Sequence, residues 1–121
     1  MNNYSIDEVF NIYEQSGIAI YNATMSGDHK TNNREGRYLL KFFKYFENNE
    51  EFGHLCIDKL FESSNVVVKI KAASYCLALG YKTEYAVSVL EAIANNPENG
   101  IFRFNAEMTL KVWKEKGCLR L

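Results

Sequence analysis

Val68-Lys69-x-x-Ala72-x-x-x-Cys76-x-x-Leu79 and Phe102-Arg103-x-x-Ala106-x-x-x-Leu110-x-x-Trp113 are one line written twice. Each matched pair lies 34 positions apart. Within each copy the positions advance by four, four and three, which traces one face of an α-helix. A period in the thirties, with a small residue at mid-helix and a base beside the first apolar position, marks stacked helix pairs. The expected fold is therefore all-α, a helical-repeat superhelix of about six helices in three antiparallel pairs.

The flanks of the two copies agree with this. Ser63-Ser64-Asn65 reads as a short turn whose Asn65 can cap a helix over 66–79. Gly80 stands where a left-handed C-terminal cap belongs. Val66-Val67-Val68 is β-branched, but the alanines downstream and the helical register favour helix. Thr83 is expected to cap a fifth helix with Ala86, Val89, Leu90 and Ile93 inward. A loop over 95–100 contains Pro97, and the last helix runs from about 101 to 116 before Gly117.

Toward the N-terminus, Ser5 with Glu8 three residues on forms a capping box. The first helix should carry an apolar stripe of Ile6, Phe10, Tyr13, Gly17, Ile20 or Tyr21, and Met25. Gly17 costs up to about 1 kcal/mol against alanine in mid-helix, and permits close approach by a neighbour. Ser26-Gly27-Asp28 is turn chemistry. A second helix is expected from about His29 or Thr31 to Phe46. Its second half, Tyr38-Leu39-Leu40-x-Phe42-Phe43-x-Tyr45-Phe46, is apolar on most sides and needs more than one covering neighbour. The same face suits an oligomer interface. Glu47-Asn48-Asn49-Glu50-Glu51 breaks the pattern and is the most acidic patch of the chain. A third helix over about 52–62 should turn Leu55, Cys56, the Lys59 stem and Leu60 inward.

The 121 residues suffice for one domain with a modest core, 1–121, with no linker or low-complexity segment. Apolar residues make up 47% and charged residues 24%, which suits a globular chain rather than a disordered one. Net charge is −1 and the isoelectric point about 6.1, against nucleic-acid binding and against a polybasic membrane anchor. No apolar run approaches the roughly 20 residues that span a bilayer. Met1-Asn2-Asn3-Tyr4 lacks the basic and apolar regions of a signal peptide. Cys56, Cys76 and Cys118 are odd in number and widely spaced, as expected of reduced thiols in a cytoplasm.

Candidate chemistry is sparse. His54 and Cys56 stand two apart, on nearly opposite sides of a helix, and no third ligand lies at zinc spacing, so no metal is expected. No glycine-rich phosphate loop or nucleophile elbow occurs, and no catalytic residue or cofactor is expected. Asp7-Glu8 and Glu50-Glu51 lie at helix starts, where carboxylates oppose the helix dipole. Lys69 and Arg103 hold equivalent repeat positions. They can bind an anionic group, but the expectation is a ladder that ties each repeat to the turn before it. Phe104 points away from the line that Phe102 joins, either packing beside Ile70 or standing exposed; packing is the expectation. Tyr81 and Tyr85 flank a loop with Glu84 between them, and such aromatics serve as interface anchors or cap a core. Glu47, Glu50 and Glu51 either form a solvated connection or complement a basic partner.

The run Leu60-Phe61-Glu62-Ser63-Ser64-Asn65-Val66-Val67-Val68-Lys69-Ile70-Lys71-Ala72-Ala73 resembles a HEAT-like helix–turn–helix. Ala86-Val87-Ser88-Val89-Leu90-Glu91-Ala92-Ile93-Ala94 follows, then Phe102-Arg103-x-x-Ala106-x-Met108-Thr109-Leu110. Together with Gly27-Asp28-His29-Lys30-x-x-Asn33, these are similar to a small bacterial HEAT-like domain family, long of unknown function. The likeness spans nearly the whole chain and is strongest from Leu55 to Trp113. Gly36-Arg37-Tyr38-Leu39 departs from it, where a more ordinary amphipathic helix belongs. Such families are associated with polymorphic-toxin and contact-dependent growth inhibition systems, as immunity proteins. The resemblance therefore implies a cytoplasmic, non-enzymatic inhibitor that binds one cognate toxin domain 1:1, a nuclease in the leading reading. Glu47, Glu50, Glu51, Tyr81, Glu84 and Tyr85 are the expected contacts. The alternative is a HEAT-like protein-binding adaptor with no toxin partner. A HEAT-like DNA-repair glycosylase would need a basic groove and a catalytic carboxylate, and the charge disfavours it.

Overall fold

The computed structural model describes residues 4–121, so Met1-Asn2-Asn3, where a leader would begin, lies outside the described residues. Six helices follow one another: α1 (Ile6–Ser26), α2 (His29–Asn48), α3 (Glu50–Leu60), α4 (Val66–Leu79), α5 (Thr83–Asn95) and α6 (Phe102–Lys116). A single 3₁₀ turn, Pro97–Asn99, precedes α6, and no strand occurs among the described residues. The all-α expectation holds. Successive helices pack as the pairs α1–α2, α3–α4 and α5–α6, and the pairs stack through α4.

Local chemistry explains most of the boundaries. Ser5 Oγ accepts from Glu8 N at 3.1 Å while Glu8 Oε1 accepts from Ser5 N at 2.9 Å, closing the capping box. Asn65 Oδ1 accepts from Val67 N at 2.8 Å and so starts α4. Gly80, at φ 69°, ends α4 in the left-handed region that a glycine enters without a Cβ clash. The fifth helix differs from expectation. Thr83 is its first residue, and Lys82 takes the cap position at φ 48° with no side-chain cap bond. The acidic stretch differs as well. It is solvent-exposed from Glu47 to Glu51 as a connection would be, yet it is mostly helical, because α2 runs on through Asn48 and α3 starts at Glu50, leaving only Asn49 between them.

α4 is the hub of the core. It touches α1, α3, α5 and α6, and Val67, Val68 and Ala72 to Leu77 are all buried. Tyr75 sits at its centre, with Tyr13, Phe43 and Phe46 ring centroids 6.1, 4.8 and 6.2 Å away. Tyr75 donates to the Tyr13 hydroxyl at 2.9 Å, and Tyr13 in turn donates to the Leu39 carbonyl at 3.3 Å. Burial pushes both phenols above their ordinary range, since a buried phenolate loses its hydration. α1 comes close enough to α4 at Gly17 that a Cβ there would lie 2.7 Å from Val68 Cγ2. The close approach expected at Gly17 is present.

The α2 apolar half is covered by both α1 and α3, with Leu39, Phe42, Phe43 and Phe46 buried. Three assignments of facing are corrected. Leu55 is 49% exposed and Ile57 takes the inward place, because the buried stripe of α3 is Gly53, Cys56, Ile57 and Leu60. Met25 and Tyr21 face outward, whereas Val9 and Ala23 are buried on α1. Phe104 is 60% exposed rather than packed beside Ile70.

The basic ladder forms in one copy. Arg103 Nε donates to the Ala94 carbonyl at 2.9 Å, tying α6 to the end of α5. The Lys69 side chain makes no hydrogen bond or ion pair among the described residues.

Candidate partner-binding surface

The outer side of α3 and the turn from α4 into α5 meet in one polar and aromatic surface. Glu50, His54 and Asp58 recur every four residues on α3 and so lie in one row along it. His54 stacks flat on Tyr81, ring centroids 3.7 Å apart and 7° from parallel. Tyr81 donates to both Asp58 carboxylate oxygens, at 2.9 and 3.0 Å. The Lys82 ammonium reaches the same carboxylate at 2.9 Å and lies 5.3 Å from the Tyr81 ring centroid.

Each group holds the next in place. Burial and donation to Asp58 push the Tyr81 phenol up, and the Asp58 hydrogen bond raises the Lys82 ammonium. Lys82 occupies the left-handed region, which costs a non-glycine residue roughly 1 kcal/mol. That backbone turn is what aims its side chain back at α3. The result is a fixed arrangement rather than a set of loose surface chains.

The expected contact residues assemble around it. Glu47, Glu50 and His54 line one small notch with Phe46 and Leu79. Glu50 Oε1 stands 3.9 Å from His54 Nε2. Tyr85, 52% exposed, packs edge-on against Phe61 at the end of α3, centroids 4.9 Å apart. Glu51 shares a row with exposed Leu55 and with Asp58 on α3. Glu84 is exposed in the first turn of α5. Glu47, Glu51 and Glu84 make no ion pair among the described residues.

Sequence reading missed His54, Leu55, Asp58 and Lys82. The four-residue spacing from Glu50 to Asp58 was visible, but its meaning required knowing that Tyr81 returns to α3. For metal chemistry, no group of three His, Cys, Asp or Glu side chains comes together among the described residues. Cys56, Cys76 and Cys118 are all unpaired, the first two buried. Burial pushes the Cys56 and Cys76 thiols up to about 12, so neither is a ready nucleophile. No described helix is long and apolar enough to cross a membrane. No family model, curated protein or solved structure matches the chain.

Proposed function

We propose that this chain is a cytoplasmic immunity protein that binds and neutralises one cognate toxin domain, a nuclease of a contact-dependent inhibition or similar system. The observation that carries the reading is the α3–α5 surface: a pre-set His54–Tyr81–Asp58–Lys82 core, exposed Leu55 and Tyr85 beside it, and four carboxylates at its rim. Side chains already held by one another lose little freedom on binding, which lowers the ordering cost of a tight complex. Aromatic and aliphatic anchors supply the desolvated centre that dominates interface energy. Glu47, Glu50, Glu51 and Glu84 give the rim the sign that complements a basic, nucleic-acid-cleaving cleft and speeds encounter with it.

The test is a pull-down of the tagged protein against the polypeptide encoded immediately upstream, with a growth assay of that polypeptide alone and co-expressed. The reading expects a 1:1 complex and rescue of growth. Glu50→Lys and Tyr85→Ala should each weaken the complex about tenfold or more, equivalent to roughly 1.4 kcal/mol. A harmless neighbour that does not bind removes the immunity reading and leaves the adaptor. A complex that forms but ignores both substitutions keeps immunity and moves the interface elsewhere.

A further inference from the structure

A second concavity shares no residue with that surface. It is a groove of about 560 Å³ walled by four helices, α1, α2, α4 and α6. Its size lies within the roughly 300–1,000 Å³ typical of small-molecule sites. Ile20, Leu40, Ile70, Phe102 and Met108 give it apolar walls.

One charged side chain, Lys71, lines this groove. Its ammonium makes no hydrogen bond or ion pair among the described residues, and burial lowers its pKa. Ser74 lies three residues further on, one turn along the same face of α4. It is 8% exposed, and its hydroxyl has no hydrogen-bond partner among the described residues. Asn105, 34 positions after Lys71 and so its repeat equivalent, lines the opposite wall on α6. Two unpartnered donors and a facing amide thus sit over an apolar floor. Lys71 is part-buried and its ammonium forms no ion pair, though chain-terminal Leu121 also lines the groove, and an anion placed beside the ammonium interacts more strongly than it would in bulk solvent.

We propose that this groove binds a small organic carboxylate with an apolar body, its carboxylate on Lys71 Nζ and Ser74 Oγ and its body along the Ile70 and Phe102 walls. A single cation matches a monoanion better than a phosphate dianion. A groove of this volume with a single cation in its wall suits a small molecule. This site is independent of the immunity reading and stands or falls without it.

The test titrates the full chain with octanoate and, in parallel, octanol, following backbone amide shifts by NMR. The expected result is that shifts cluster at Ile70, Lys71, Ser74, Asn105 and Thr109. Octanoate should bind about tenfold tighter than octanol, the worth of one charge-assisted contact. Lys71→Met, which keeps chain length and removes an unpaired charge, should abolish that preference and leave octanol binding unchanged. If this variant does not fold, Ser74→Ala takes its place and should cut octanoate affinity several-fold with octanol untouched. Equal affinity for the two probes, shifts mapping outside the groove, or a preference surviving the substitution would each overturn the proposal.

Discussion

Gly53 lies where α3 crosses α2, and the crossing has no room for a side chain. A Cβ built there would stand 2.7 Å from the Cβ and the carbonyl oxygen of Phe46, and 2.9 Å from its Cα. Carbon atoms in contact prefer roughly 3.5–4.0 Å, so Gly53→Ala must push the two helices apart by about 1 Å. Phe46 cannot relieve this by changing rotamer, because the atoms in the way are its backbone and Cβ. Overpacking of this kind costs about 1–3 kcal/mol, and backbone against backbone belongs at the upper end. Better helix propensity returns about 1 kcal/mol. The expected net loss is about 2 kcal/mol, or a Tm lower by roughly 8 °C for a chain of this size. Gly36 supplies the internal comparison. It lies within α2, where an added methyl would meet nothing within 4 Å, so Gly36→Ala keeps only the propensity gain and should raise Tm by roughly 4 °C. Thermal and urea unfolding followed by far-UV circular dichroism measure both. A Gly53→Ala protein as stable as the parent, or a Gly36→Ala protein less stable, would refute the account of this crossing.

The buried tyrosine pair should respond asymmetrically. Tyr75→Phe leaves the Tyr13 hydroxyl still bonded to the Leu39 carbonyl, at a cost of about 1 kcal/mol. Tyr13→Phe strands the Tyr75 donor and should cost about 2 kcal/mol, and equal urea midpoints would contradict the assigned donor order. Because Lys82 sits at φ 48°, Lys82→Gly should melt above Lys82→Ala; both remove the ammonium, so the difference reports backbone strain, and the reverse order would show none. Stability should fall in alkali. Thiols of the unfolded chain ionise near 9.0 while folded Cys56 and Cys76 hold their protons to about 12, so the unfolded state binds fewer protons above pH 9 and stability declines between those values. The raised Tyr13 and Tyr75 phenols steepen the decline above about pH 10, and flat urea midpoints across this window would refute it.

Much of the fold was legible because the repeat and its punctuation are local chemistry. Asn65 and Gly80 bracket α4 as the capping rules require, and the capping box at Ser5 does the same for α1. The Leu55 misreading has a clear cause. Leu55 and Ile57 are both apolar and two apart, so one must face out and hydrophobicity cannot choose. Packing chooses. Gly53 against Phe46 turns Ile57 inward, yet a glycine adds nothing to an apolar stripe read from side chains. Thr83 lost the cap position because α5 starts one residue earlier than expected, directly after Lys82, whose left-handed backbone turns its side chain to Asp58.

The repeat also explains why the candidate sites were harder to read than the fold. Where the two copies agree in character, the side chains pack: Val68 with Phe102, Ala72 with Ala106 and Cys76 with Leu110 are all buried. Where they differ, the side chains carry polarity to a surface: Lys71 faces the groove opposite Asn105, and Ser74 does so where the second copy has Met108. A search for self-similarity selects the first kind of position and discards the second. The surface on α3 escapes it too, because its parts come from α3 and from the turn after α4, outside the duplicated line. Periodicity finds what holds such a stack together, whereas its binding chemistry is sought in departures from the period and in the turns, where no packing rule fixes the residue.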